Sequence, residues 1–546
     1  MNDILANDFN IADRLTEVAA DRGSAWALAD ASHPDGRRLS FQELEEEVDK
    51  VALGFIASGF EPGDRVLMFL KPSFDFFVAL WAAFRIGAVP VFIDPSMGTQ
   101  PVLRAVRESA PRRVVANELV AWLARLYPRA FSSVETWIRP RTFGLLGTSF
   151  DGIRRRARDL GEDPRDPSGP DALAAILFTS GATGFPKGVK YTHRVFDAQR
   201  LALGSSLGIR AGEVDYSAFP LFSMFSLTLG ASVVVPNMDT TRPGAVDPAP
   251  VLEAFEFFGV TFAFGSPAFW RRLVMSERKS GFRGLERLLM AGAPAPPDLL
   301  RRLVHLLSPH ADVFTPYGAT ESLPVCMASG RENLSGPLAQ TSEGAGTWLG
   351  RPLPQVELRI ISISDEPLES WNQVQTVEPG TVGEIVVHSP MTTEGYFMRP
   401  VADASSKIRD DDGRLWHRMG DLGYLDEHGA VWYCGRKAHR VETPRGTLYP
   451  VQVEALVNQH PRVSRSALVG IGARGVERPV IIAECRSGER PRNVSDRRRL
   501  ASEIRACSGL PDVERVLFRA ALPVDARHNA KIRRDALKEW AERRIR

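Results

Sequence analysis

The stretch FQELEEEVDKVALGFIASGFEPGDRVLMFLKPSFDFFVALWAAFRIGAVPVFI, residues 41–93, decides the fold class. Ser40, followed three residues on by Glu43, has the pattern of a capping box and opens a helix whose apolar residues recur at helical period until about Gly59. DRVLMFLK (64–71) reads as extended, SFDFFVALWAAFRIG (73–87) as helical and AVPVFI (88–93) as extended again. Helix, strand, helix and strand in that order predict a parallel sheet with helices on its faces, an α/β architecture. The rhythm returns in GASVVVP (230–236), the helical PVLEAFEFFG (250–259) and the strand-like VTFAFGS (260–266).

Two other patterns follow. From Gly346 short extended runs, QVELRII, VGEIVVHS and AVWYCG, are separated by Gly, Pro and Asp clusters, which predicts a small β-rich unit. After Gly435 about 110 residues alternate helix (VQVEALVNQH) with strand (RSALVGI, PVIIAEC), a separate α+β unit. The expected division is a large layered α/β domain with the β-rich unit at 1–435, then a small mobile domain at 436–546. The Pro-, Gly- and Asp-rich segment at about 156–172 reads as a surface loop feeding the strand LAAILFTS.

A chain of 546 residues is too long for one core and predicts three or four structural units. Lys plus Arg (68) nearly balance Asp plus Glu (66), which argues against a nucleic-acid or anionic-membrane partner; the Arg-rich stretch 486–546 reads as a solvated surface. Cys326, Cys434, Cys485 and Cys507 lack paired metal-ligand spacing and are expected to be reduced thiols. The opening MNDILANDFNIADRL is acidic where a secretory signal is basic and apolar, and FDFFVALWAAF (74–84) is too short to cross a bilayer and is interrupted by Asp75. A cytoplasmic protein without a transmembrane segment is the expectation.

The strongest chemical signal is ILFTSGATGFPKGVKYTH, residues 176–193, where a strand passes into Thr179, Ser180, Gly181, Ala182, Thr183, Gly184, Phe185, Pro186, Lys187 and Gly188. Glycines let backbone N–H groups approach phosphate oxygens, hydroxyls add donors and a lysine adds charge. The spacing is not that of a Walker A loop.

This run resembles the phosphate loop of the adenylate-forming superfamily of acyl-CoA synthetases, adenylation domains and luciferases, and further motifs follow in the family's order. MAGAP, with Gly292, Ala293 and Pro294, is similar to the segment lining adenine; PYGATES, with Tyr317, Gly318, Thr320 and Glu321, is similar to the aromatic-Gly-x-Thr-Glu motif. The resemblance implies ATP as cosubstrate, a Tyr317 ring stacked on adenine, Thr320 at the phosphate and Glu321 serving Mg²⁺. It implies that Asp421, in RMGDLGYLDEHG, accepts hydrogen bonds from the ribose hydroxyls, that Arg436 lies near the nucleotide, and that Lys437 lies near a hinge. Lys531, in HNAKIRRDAL, would be the catalytic lysine, acting with Glu321 and Thr179 where the α-phosphorus is attacked. The nucleotide set is completed by Ser180, Gly181, Thr183, Gly184 and Lys187.

Many relatives carry a histidine where AFPLFSMFSLTLG has Ser223, and a glycine where Ala530 precedes Lys531. VPNMDTTRP, TPYGATESLPV, GRKAHRVET and RHNAKI together resemble the olefin-pathway β-lactone synthetases. That implies adenylation of a long-chain β-hydroxy (2-alkyl-3-hydroxy) acid, then attack by its own hydroxyl to give a β-lactone, AMP and pyrophosphate, with other olefin-pathway enzymes as assembly partners. A fatty acyl-CoA ligase is the alternative. Phe219, Phe222, Met224, Phe225 and Phe264 are the candidate acyl-pocket residues. His193 and His439 are visible, but neither stands out as the base for ring closure.

Overall fold

In a computed structural model of the chain the Ser40 cap closes as expected. Glu43 N–H donates to Ser40 Oγ at 3.1 Å, Ser40 N–H donates to Glu43 Oε2 at 2.7 Å, and the helix Phe41–Ile56 follows. The structure describes residues 9–545, apart from 33–35, 141–146, 158–162, 167, 181–184, 279, 511–512, 514 and 525–531. Strands Arg65–Phe69 and Val89–Ile93 flank the helix Phe74–Arg85 and pair in parallel, as the 41–93 stretch predicts.

These strands belong to a seven-stranded sheet that is parallel except for one hairpin, Leu173–Ser180 with Pro186–Thr192, at its edge. A second sheet has eight strands. Its interior strands, including Val214–Ser217, Ser232–Val235, Phe262–Gly265, Arg287–Met290 and Asp312–Ala319, run parallel, and antiparallel strands close its two ends.

Helices Phe41–Ile56 and Phe74–Arg85 share one core with residues of both sheets, among them Val66 and Val115 of the first and Leu28, Val233 and Phe262 of the second. Every residue of Phe74–Arg85 but Asp75 is buried, which explains its apolar character without a membrane. Fully buried Phe77, Trp81 and Phe84 contribute about 2–3 kcal/mol each by leaving water. No helix among the described residues is long and apolar enough to cross a membrane.

The β-rich unit is a six-stranded antiparallel sheet that includes Gly383–His388, Leu415–Leu425 and Val431–Arg436. Because that last strand runs through Arg436, the sequence division at 435/436 falls inside its final step. The C-terminal unit is a three-stranded sheet, Val463–Ile471, Arg478–Cys485 and Arg515–Arg519, with separate apolar clusters built around Leu500 and around Leu537. The 156–172 segment is more than a surface loop where it is described. Asp166 N–H donates to Arg85 O at 2.8 Å, and Asp166 lies so close over Gly87 that a Cβ there would meet its carboxylate at 2.1 Å.

Arg85 ends the enclosed helix, and its guanidinium bonds Glu45 (2.8 Å), Asp49 and Thr16 Oγ1 (3.0 Å). Burial would lower its pKa, but the two carboxylates more than offset this and raise it, so the cation is kept. Removing it strands two carboxylates. Arg85→Met is expected to cost about 3 kcal/mol, read as a lowered midpoint of chemical unfolding with pyrophosphate exchange retained below the transition.

Candidate active site

The edge hairpin carries the segment expected to hold phosphate. Thr179 pairs with Lys187 and Ser180 with Pro186 across it; Gly181, Ala182, Thr183 and Gly184, at the tip, lie outside the described residues. Gly188 permits close packing behind the tip, where a Cβ would meet Ile176 Cγ2 at 2.7 Å and the Phe178 ring at 3.0 Å. The Lys187 ammonium lies 4.9 Å from the centroid of the Tyr396 ring, and the Tyr396 hydroxyl donates to Glu321 Oε1 at 2.5 Å. One aromatic side chain thus spans the sequence-predicted phosphate lysine and the sequence-predicted Mg²⁺ ligand.

Glu321 is held at its backbone as well. Thr393 donates to Glu321 O from its N–H at 2.9 Å and from its hydroxyl at 3.1 Å, and the Lys407 ammonium bonds Thr393 O. Burial pushes the Lys407 pKa down to about 8, while Glu321 and Asp403 oppose the shift. The neighbouring turn is fixed by the buried Tyr191 hydroxyl, which donates to Thr320 O at 2.6 Å. Segment 393–397 also binds the hairpin, through Lys190 N–H to Gly395 O at 3.0 Å and Phe397 N–H to Gly188 O at 2.7 Å. Sequence reading missed Tyr396, Thr393, Lys407 and Tyr191, because partners such as Glu321 for Tyr396 and Thr320 for Tyr191 lie 75 and 129 positions away and nothing in the local pattern marks them.

The residues expected at the nucleotide come from two parallel strands and from the antiparallel β-rich sheet. Gly292, with φ 92°, turns the chain after Arg287–Met290 and carries Ala293 and Pro294 past the strand end, beside the strand that carries Tyr317. A bulge between Tyr317 and Ala319 turns the second strand, and Gly318 fits because a Cβ there would meet Leu323 Cβ at 2.7 Å. The Tyr317 hydroxyl donates to Asp421 Oδ2 at 2.8 Å, and Arg436 pairs with Asp421 Oδ1 at 3.2 Å. Burial, then Asp421, raises the Tyr317 pKa, so the phenol stays protonated; Asp421 raises that of Arg436 against burial, which lowers it.

Of the candidate acyl residues, Phe222 stacks on Phe264 with centroids 4.9 Å apart and an interplanar angle of 6°, and Phe219 lies 6.3 Å from Phe264. Met224 and Phe225 point into the shared core, Phe225 at 5.9 Å from Phe222. Lys437 is tied to the β-rich unit, with its ammonium 2.9 Å from Glu384 Oε1 and 2.8 Å from Ser364 O. Burial depresses its pKa, and Glu384 opposes this. Lys531 lies outside the described residues. His193 Nδ1 accepts from Ile11 N–H at 3.2 Å, and burial pushes this histidine down to about 4. Burial, with Arg534 beside it, does the same to His439.

The structure gathers Lys187, Tyr396 and Glu321 in one cluster and Tyr317, Asp421 and Arg436 in another, and residues 15–397 match the family of AMP-binding enzymes. The chain belongs to that family. This AMP-binding enzyme is 41% identical to an olefin beta-lactone synthetase of Stenotrophomonas maltophilia, over 97% of this chain and 98% of that one. It is 38% identical to an olefin beta-lactone synthetase of Xanthomonas campestris pv. campestris, over 97% of each. ATP-bound MatB from Rhodopseudomonas palustris shares the fold at a TM-score of 0.78 and 21% identity, covering 99% of this chain and 100% of that one. The chain is therefore an AMP-forming ligase that uses ATP, with a large N-terminal and a small C-terminal domain.

Among the described residues no three His, Cys, Asp or Glu side chains gather as a metal cage. A lone carboxylate at Glu321 suits Mg²⁺, which binds through one or two protein carboxylates, phosphate oxygens and water. Tyr396→Phe removes a hydrogen bond to a charged group and unties Glu321 from the hairpin. ATP–pyrophosphate exchange is expected to fall about tenfold, with the melting temperature nearly unchanged.

Proposed function

We propose that this enzyme adenylates a long-chain 2-alkyl-3-hydroxy acid and then closes the acyl adenylate on its own hydroxyl, releasing a β-lactone, AMP and pyrophosphate. The near-full-length likeness to two olefin beta-lactone synthetases carries this reading. The aromatic cluster of Phe219, Phe222 and Phe264 beside the nucleotide strands supports an extended apolar acyl group.

The residues divide the work. Tyr317, Gly292, Ala293 and Pro294 hold the adenine and Asp421 holds the ribose, with Arg436 at its side. Thr179, Ser180, Lys187 and Thr320, with the hairpin tip, hold the phosphates, and Glu321 would hold Mg²⁺, which supplies charge neutralisation when bound. Charge that develops as the carboxylate attacks the α-phosphorus is met by Lys531, brought in by the C-terminal domain turning near Lys437. Lactone closure needs no second substrate, because the nucleophile is already bound and proximity replaces concentration. A cytoplasmic location and assembly with the other enzymes of an olefin pathway belong to the same proposal.

With ATP, Mg²⁺ and a 2-alkyl-3-hydroxy fatty acid, and with no CoA, stoichiometric β-lactone and AMP are expected by mass spectrometry. AMP release that requires CoA and yields a thioester would instead identify a fatty acyl-CoA ligase. Lys531→Ala is expected to reduce pyrophosphate exchange by at least about 100-fold while calorimetric ATP binding stays within a few-fold; normal exchange in that variant would move the catalytic cation elsewhere.

A further inference from the structure

The acyl-pocket face carries a buried carboxyl that the adenylation chemistry does not use. Asp215, in Val214–Ser217, pairs with Phe262 while Ser217 pairs with Phe264, so these four residues share one face of the sheet. Phe222 covers that face, stacked on Phe264 and 6.0 Å from Phe262. Asp215 thus lies one layer beneath the aromatic cluster, and it is 1% exposed.

The helix Ser223–Thr228 packs over it. Ser226 Oγ donates to Asp215 Oδ2 at 2.8 Å, whereas Oδ1 has no hydrogen-bond partner. Ser223, next in the chain to Phe222 and 1% exposed, supplies a second hydroxyl that favours the charged carboxylate. The flanking residues are Val233 on the neighbouring strand Ser232–Val235 and Phe262 on Phe262–Gly265, both apolar. Among the described residues no cation pairs with Asp215, and Arg287, two strands along on the same face, is engaged by Gly208 O at 3.1 Å and by Glu213. Burial accordingly pushes this carboxyl up to about 7, with the two serines opposing the shift.

A structural hydrogen bond to Ser226 could be made by a neutral side chain without the cost of a buried carboxyl. A carboxyl that ionises near neutrality, in an apolar site and with one open oxygen, is suited to accept a proton there. His193 is tied to the N-terminal segment and His439 sits near the hinge, each pushed far below neutrality by burial, and neither lies on this face.

We propose that Asp215 is the base of lactone closure, with Ser223 as the hydroxyl that relays the proton to it; this rests on the β-lactone reading above. The substrate β-oxygen forms a bond to the acyl carbonyl carbon, and its proton passes to Ser223 Oγ as the Ser223 proton passes to Asp215. The tetrahedral intermediate collapses by breaking the bond between the carbonyl carbon and the phosphate oxygen, and AMP leaves with that electron pair. The proton on Asp215 returns to water when the product departs. Because the base works ionised, closure accelerates as pH rises through about 7 and then levels.

The test is single-turnover closure of enzyme-bound acyl adenylate across pH, with pyrophosphate exchange and hydroxylamine trapping alongside. Asp215→Asn is expected to slow closure on the order of 100-fold and to accumulate trappable acyl adenylate, with exchange within about threefold of wild type. Ser226→Ala removes a donor that stabilises the carboxylate and is expected to move the pH limb upward. Closure at the wild-type rate in Asp215→Asn, or an unmoved limb in Ser226→Ala, overturns the assignment while leaving β-lactone synthesis intact. If Asp215→Asn loses exchange as well, the position of the Ser226→Ala limb decides. A wild-type enzyme that forms acyl adenylate but never lactone overturns the parent reading instead.

Discussion

Burial of the helix Phe74–Arg85 on all sides is the constraint on which the large domain depends. A helix without a polar face needs apolar cover everywhere, and the helix Phe41–Ile56 supplies it together with core residues of both sheets. Its one buried charge, Arg85, is admitted only because Glu45, Asp49 and Thr16 meet it. The layered arrangement follows, and with it a set of parallel strand ends from which loops can project.

The site uses those ends unequally. The eight-stranded sheet contributes Gly292, Tyr317 and the Glu321 turn, the seven-stranded sheet contributes the phosphate hairpin, and the β-rich unit contributes Asp421 and Arg436. Groups from three sheets hold their positions only if something crosses between them. Segment 393–397 does so, binding Glu321 through Thr393 and Tyr396 and the hairpin through backbone hydrogen bonds. Tyr317 performs the same service toward Asp421. Such crossing contacts orient the charges before substrate arrives, which is what preorganised electrostatic stabilisation requires.

Much of this was legible in the chain. The Ser40 cap, the alternation of helix and strand in 41–93, the β-rich stretch after Gly346 and the C-terminal α+β pattern all appear where periodicity and capping place them. The Gly/Ser/Thr/Lys run of 176–193 stood out because phosphate sites need glycine, hydroxyls and a cation, whereas the nucleotide roles expected of Gly292, Tyr317, Asp421, Arg436 and Lys531 came from the family resemblance alone. The 156–172 segment was only half legible: its composition describes a loop, but the closure of Asp166 over Gly87 is a packing fact.

By itself the sequence determined the fold class, the order of its units and the presence of adenylation chemistry, because local periodicity, turn requirements and short motifs are properties of neighbouring residues. Only the tertiary structure decided that Tyr396 bridges Lys187 and Glu321, that Asp421 is shared by Tyr317 and Arg436, and that Asp215 lies beneath Phe222 with one buried oxygen left without a hydrogen bond. Those facts depend on burial and on contacts between residues about ten to more than two hundred positions apart, and a side chain's titration and orientation follow from what the fold packs around it.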